Sequence, residues 1–388
     1  MMQALRLFLN RPTTKVGIVT AFMFQIIFAV IWMTAYDGVT DRTSQLRIAI
    51  VNEDGQLGKQ LSGKLAEELP FETVVVTDLG EAQAGLNNRD YQMVMHIPAD
   101  FTQKAASADA TGSIEYWINE SNPALIKSIM SGAAAQITGE INSQAVASGV
   151  QAALSGAQMP AEQAAAAAAS LSERVTADIR SVNPVQGMNN QMVPMMMVLA
   201  SFVGAMIMGM NFQQSTMAVQ AQAGKWNTVL VKAVLNAVSA VLVALVGTSL
   251  VALLGGQFEQ GFLHMWLFQS LFLLTFMFVS QMFLSLFGLA GMLFNIMLLS
   301  VQLVSSGAIV PRELLSDFYT GLGRLLPATY AVDGNMNILF GGGPITGDCA
   351  ALLLIMATAM AVTAVAVAFK KQGAKAALPA QIPASEAR

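Results

Sequence analysis

The hydrophobic pattern of this chain has two modes. Long runs free of charge alternate with one stretch where short apolar and polar segments interchange. Val16–Tyr36, Ser181–Gly224, Ala233–Phe258, Gln260–Pro311 and Cys349–Phe369 contain no Asp, Glu, Lys or Arg. A helix rises about 1.5 Å per residue, so about 20 apolar residues cross the roughly 30 Å hydrocarbon core of a bilayer. The fourth run is long enough for two helices and a tight turn. The pattern predicts a polytopic α-helical membrane protein with six transmembrane helices, near 16–35, 193–212, 230–254, 263–285, 289–308 and 349–369.

Between the first two spans the period changes. The β-branched run Arg47–Val51 leads into Asn52-Glu-Asp-Gly55, a strand running into a turn. Residues 56–69 and 79–87 read as helices, and 72–77, 91–97 and 113–118 as further strands. This alternation predicts a small α/β unit over 45–120. From 121 to 190 the composition shifts to Ala, Gln and Ser, with an alanine-rich run at Ala161–Leu171. Alanine is the best helix former, so this part is expected to be a thinly packed helical stalk. The expected organisation is an amphipathic N-terminal helix and first span (1–36), an inserted domain (37–190), a five-helix membrane domain (191–370) and a tail (371–388).

Charge fixes the orientation. Nine basic residues and one acid flank the proposed inner ends: Arg6, Arg11, Lys15, Lys225, Lys232, Lys370, Lys371, Lys375 and Arg388 against Glu386. The segments 255–262 and 309–348 hold two basic residues and five acids. The positive-inside rule places both termini in the cytoplasm and residues 37–190 outside. That insertion is acidic, with 18 Asp/Glu against 9 Lys/Arg between Asp37 and Arg180. The first apolar run exceeds a signal-peptide core, and Met33-Thr34-Ala35 is a poor cleavage site, so the first span is expected to remain. A hydrophobic fraction of 54% with 11% charged residues fits the membrane class.

Several chemistries lack residues. No G-x-x-x-x-G-K-[ST] phosphate loop is present, so the chain is not expected to hydrolyse nucleotide. His96 and His264 have no ligand-spaced partners in sequence, and no catalytic, cofactor or metal site is expected. The single cysteine, Cys349, excludes an intramolecular disulfide framework. Nothing marks a nucleic-acid partner. Within the spans, Gln269, Gln281, Asn295 and Gln302 are polar; they are either interhelical glue or candidate pathway residues. Between spans five and six, leucines at helical spacing over Arg312–Leu326, bounded by Pro311 and Pro327, suggest an outer re-entrant segment within 309–345.

Two sets of motifs carry a resemblance. SSGAIVPRELL and LLPATYAVDG, between spans five and six, resemble the type-2 permeases of ABC exporters, with Gly307, Pro311, Pro327 and Tyr330 at the motif positions. IAIVNEDG, the A-x-x-G-L of Ala82–Leu86, Tyr91, IPADF and YWINESN are similar to the phage infection protein (Pip/YhgE) subgroup, although its very long extracellular insertion is missing. The resemblance implies a permease of the bacterial plasma membrane that pairs with a separate ATPase and with a second permease subunit, as a homodimer or heterodimer in lipid. ATP and Mg would bind the ATPase. The turn around Ser215, Gln220, Gln222, Lys225 and Trp226 would carry the coupling contact. A lipophilic or amphipathic substrate would move outward. The alternative is a membrane-anchored scaffold or receptor whose external domain binds a partner.

Overall fold

The computed structural model describes residues 31, 34–36, 38, 39, 41–55, 63, 65, 69–106, 110–155 and 175–369. The expected amphipathic start, most of the first span, the alanine run and the tail lie outside these residues.

The inserted region builds a five-stranded sheet from β1 (Arg47–Asn52), β2 (Glu72–Val76), β3 (Met93–Ile97), β4 (Gly112–Asn119) and β5 (Val175–Val182), ordered β2-β1-β3-β4-β5. β1 pairs parallel with β2 and β3, β3 antiparallel with β4, and β4 parallel with β5. Four consecutive residues of β1 are buried, as expected of a central strand covered on both faces. On one face lies α1 (Leu79–Asn87), whose Ala82 and Leu86 pack on Ala49, Val51 and Val94. Asp78 starts this helix by accepting the Glu81 N–H at 2.7 Å. On the other face lie α2 (Phe101–Ala106) and α3 (Ala124–Ser155).

Two expectations fail here. Residues 175–182 form a strand, where a helix was expected through 190. They continue the sheet in register with all of β4. The start of α3 is also no thin stalk: Ile126, Met130, Ile137 and Ile141 are buried against Ile50, Met95 and Tyr116. Burying one such side chain stabilises the fold by about 1.5–3 kcal/mol. The Tyr116 hydroxyl meets Thr138 Oγ1 at 2.9 Å, and Asn142 Oδ1 accepts the Val175 N–H, tying α3 to both strands.

The membrane part follows: α4 (Gly187–Ala223), α5 (Lys225–Leu253), α6 (Phe262–Phe287), α7 (Gly291–Ser305), α8 (Asp317–Gly323), α9 (Pro327–Phe340) and α10 (Thr346–Phe369). Among the described residues, Gly187–Met217, Lys225–Leu253, Phe262–Ser305 and Thr346–Phe369 are long and apolar enough to cross a membrane. The third stretch has 44 residues, about 66 Å as one straight helix. It breaks at Gly288 (φ +62°), and Asn295 returns to donate to Ser280 O at 3.2 Å. A Cβ on Gly291 would lie 2.3 Å from Phe283 O, so this tight return needs glycine. Phe294 stacks on Phe287 at 4.4 Å across the turn.

Further corrections concern lengths. The turn expected at 213–227 is helical as far as Ala223, because no breaker occurs before Gly224. The helix expected over Arg312–Leu326 is reduced to a 3-10 turn (Arg312–Leu314) and α8. Pro327 then opens α9, which the sequence reading did not contain; proline suits the first helical turn because its missing N–H has no partner there. At 14 residues α9 is about 21 Å long, too short to span, and most of it is buried among α4, α6, α7 and α10.

Candidate functional site

The helix ends nearest the inserted domain and that domain together line a polar cavity of about 700 Å³. Its domain side is formed by the turn after α1. Arg89 sits there at φ +66°, a left-handed position after a helix end that glycine usually fills. The strained turn projects a guanidinium where glycine would leave none. Arg89 meets Asp333 of α9 at 3.7 Å and donates to Ser121 Oγ at 3.4 Å. Arg312 approaches the other Asp333 oxygen at 3.5 Å. Burial pulls the Arg89 guanidinium below its usual value, and the Asp333 carboxylate opposes this. One carboxylate thus joins the inserted domain, the turn after α7 and α9.

Glycine lets these pieces approach. A Cβ on Gly323 would lie 2.8 Å from Ser305 O, and one on Gly334 would penetrate the Phe268 ring. Gly307 ends α7 at φ +83°, where a Cβ would press on Arg312 Cγ at 3.0 Å. Nearby, Arg42 Nε donates to Leu314 O at 2.7 Å, and Tyr319 Oη contacts Thr34 Oγ1 at 2.6 Å.

The motif residues divide between two cavities. Gly307 and Pro311 line the polar one. Pro327 and Tyr330 line an apolar groove of about 380 Å³ with Phe283, Leu298 and Leu354. Tyr330 donates to Arg324 O at 2.7 Å.

The four polar span residues are engaged between elements, and none lines the polar cavity. Gln281 and Asn236 exchange amide hydrogen bonds at 2.8 and 3.1 Å. Gln269 Oε1 accepts from Thr248 at 2.7 Å. Asn295 donates to the Ser280 hydroxyl and carbonyl. Gln302 Oε1 accepts the Ala328 N–H, satisfying an orphan donor in the first turn of α9.

At the far end, Gly224 (φ +78°) joins α4 to α5 in a hairpin. Ser215 and Trp226 are exposed, and Gln220 and Gln222 lie on the last turns of α4. Lys225 Nζ donates to Ala368 O at 3.0 Å, a cation at the end of α10 that complements the helix dipole. Ser215 lines an apolar cleft of about 210 Å³ between the hairpin helices, with Phe212, Val231 and Leu235.

Sequence reasoning missed Arg89, Arg324, Asp333 and Asp348 as cavity residues. Arg324, Asp333 and Asp348 lie between two long uncharged runs, where their charge served only to orient the chain; Arg89 lies inside the charged insertion and carried no such mark. His96, left without partners in sequence, contacts Glu115 at 2.9 Å and Glu53 at 3.3 Å inside the inserted domain.

The model of a family described as ABC-2 family transporter proteins matches residues 15–369. A solved domain assigned to an ABC type-2 transporter of Thermotoga maritima MSB8 is similar to part of the chain. The identity is 17%, covering 35% of this chain and 85% of that one, with a TM-score of 0.28. Among curated proteins, none matches significantly.

Proposed function

The chain belongs to the ABC-2 family of transporter proteins, and from that premise we propose that it is the permease subunit of an ATP-driven exporter. Subunits of this family are membrane transport proteins without an ATPase domain, and they work with a separate ABC ATPase. The observation that carries the reading is the extent of the match, which takes in the inserted domain and every described span.

On this reading the chain crosses a bacterial plasma membrane six times, with both termini inside and 37–190 outside. Two permease subunits, identical or not, face one another in lipid. The α4–α5 hairpin carries the coupling contact. At 37 residues α4 is about 55 Å long, so it outruns the hydrocarbon core and can hold Ser215 and the Gly224 joint beyond it. ATP-driven closure of the partner would rock α4 and α5 against α6. A lipophilic or amphipathic substrate leaves on the outer side, where the short α8–α9 pair and the inserted domain form the exit. The external motifs support placing the chain near the Pip/YhgE subgroup.

The test is whether the tagged chain captures an ABC ATPase from its native membrane, followed by ATPase and export assays. Wild type is expected to retain the ATPase. A variant with 213–227 scrambled, or with Ser215→Arg and Trp226→Glu together, is expected to release it while keeping its melting temperature. Retained association and export in the scrambled variant would remove the coupling assignment. Failure of wild type to hold any ATPase would favour the anchored-receptor reading.

A further inference from the structure

The polar cavity and the apolar groove share one residue, Arg324. It ends α8, is exposed, and its backbone carbonyl is fixed by Tyr330. Arg89 and Arg312 both face Asp333, but Arg324 makes no ion pair among the described residues. On one side of Arg324 the groove is apolar and runs beside the N-terminal half of α10. On the other side the cavity lining holds Arg89 and Arg312 against Asp90, Glu313, Asp333 and Asp348, an excess of two carboxylates. Passing from groove to cavity, a ligand therefore meets apolar surface, then one cation without an ion pair among the described residues, then a chamber with more carboxyl than guanidinium groups.

We propose that groove and cavity form one binding site for a zwitterionic phospholipid, with acyl chain in the groove, phosphate at Arg324 and ammonium head in the carboxylate-rich cavity. The order of tail, anion and cation in such a lipid complements the order of the lining. A purely anionic lipid would place its head among surplus carboxylates, and an uncharged one would leave Arg324 unused. A guanidinium–phosphate contact is short, directional and stronger than a neutral hydrogen bond. The site deepens the permease reading, because it gives the amphipathic substrate a chemical class and a place on the outer side.

Lipid-depleted full-length protein in detergent would be titrated with four probes. These are a diacyl phosphoethanolamine lipid, a phosphoglycerol lipid of the same chains, the matching diacylglycerol, and soluble phosphoethanolamine. Bound lipid is counted by native mass spectrometry. One charge-assisted contact predicts a preference of about tenfold for the phosphoethanolamine lipid over the diacylglycerol, through Arg324, and a similar one over the phosphoglycerol lipid, through the cavity carboxylates. R324Q should remove the preference over diacylglycerol while leaving that over the phosphoglycerol lipid, and R324K should keep much of both, each with unchanged lipid-free melting temperature. D348N should weaken phosphoethanolamine lipid binding without weakening phosphoglycerol lipid binding. Equal binding of all three lipids, or R324Q binding like wild type, would overturn the site. So would soluble phosphoethanolamine binding as tightly as the lipid, which would leave the groove without a role. No ATPase is present in this assay, so its failure leaves the permease reading standing, and a failed ATPase capture leaves the lipid site standing.

Discussion

The sheet of the inserted domain and helix α5 bury opposite kinds of side chain. In the domain, the large side chains Ile48, Ile50, Met93, Met95, Phe101 and Tyr116 are sealed inside. In α5 the buried residues are Thr228, Asn236, Ala240, Ala244 and Thr248, and Leu230, Val234, Val238, Leu242 and Val246 are exposed. A water-facing fold gains by hiding apolar area. A helix in hydrocarbon gains nothing from hiding leucine; it gains from close backbone approach and from pairing its polar groups. Asn236 with Gln281 and Thr248 with Gln269 are those pairs, on a helix joined to α6 through small residues. The solvent of each region can thus be read from which residues are inside.

That contrast predicts a hierarchy of mutational effects. Ile50→Ala should destabilise the domain by about 2–5 kcal/mol, since the rigid core cannot close the cavity. Pulse proteolysis of the full-length protein in nanodiscs reads this as loss of the protected inserted-domain fragment at lower denaturant. Ala240→Leu, at a position only 1% exposed, should cost about 1–3 kcal/mol by overpacking the contact with α6. Thermal unfolding in the same nanodiscs measures it. Leu242→Ala is the control; at 55% exposure, with lipid chains replacing the lost methyls, it should stay within about 0.5 kcal/mol. A loss at Leu242 as large as at Ala240 would break the contrast and mean that protein, not lipid, covers that face.

The same inversion explains what could be read along the chain. Strands β1, β3 and β4 were legible because their apolar residues are concentrated, as in Ile48-Ala-Ile-Val51. β5 was not. It is an edge strand, fully buried only at Val175, so pairing with β4 holds it in the sheet with little hydrophobic signal. The helix break between α6 and α7 was legible: the run is too long for one span, and the spans expected at 263–285 and 289–308 leave a gap that contains Gly288. α9 was hidden because Pro327 was read as a stop, although proline at a helix start is equally favourable. Of the candidate site, Gly307, Pro311, Pro327 and Tyr330 were marked by motif. Arg89 and Asp333 meet only after the domain folds back on the membrane helices, and no local periodicity encodes such a contact.

A smaller effect than either buried substitution probes the joint between the two regions, where Glu120 ties the end of β4 to α3 and to the segment leading into α4. Its carboxylate accepts from Lys127 Nζ at 2.8 Å, from the Ser181 hydroxyl and from the Val185 N–H at 3.4 Å. Burial alone would raise its pKa, but these donors outweigh burial and hold it below the ordinary glutamate value. A group depressed on folding stabilises above its unfolded pKa, about 4.3, and loses that contribution as pH falls through the folded value. Lys127 is half exposed, so the ionic part should be worth at most about 1 kcal/mol. Wild type should therefore melt above Glu120→Gln at pH 6, and the gap should close on acidification to about pH 3. Charge is what distinguishes the two side chains, since glutamine keeps the shape and one acceptor. A gap independent of pH would assign the joint to packing alone. One that widens in acid would mean burial, not the donors, governs Glu120, and that this joint is organised like the core beneath it.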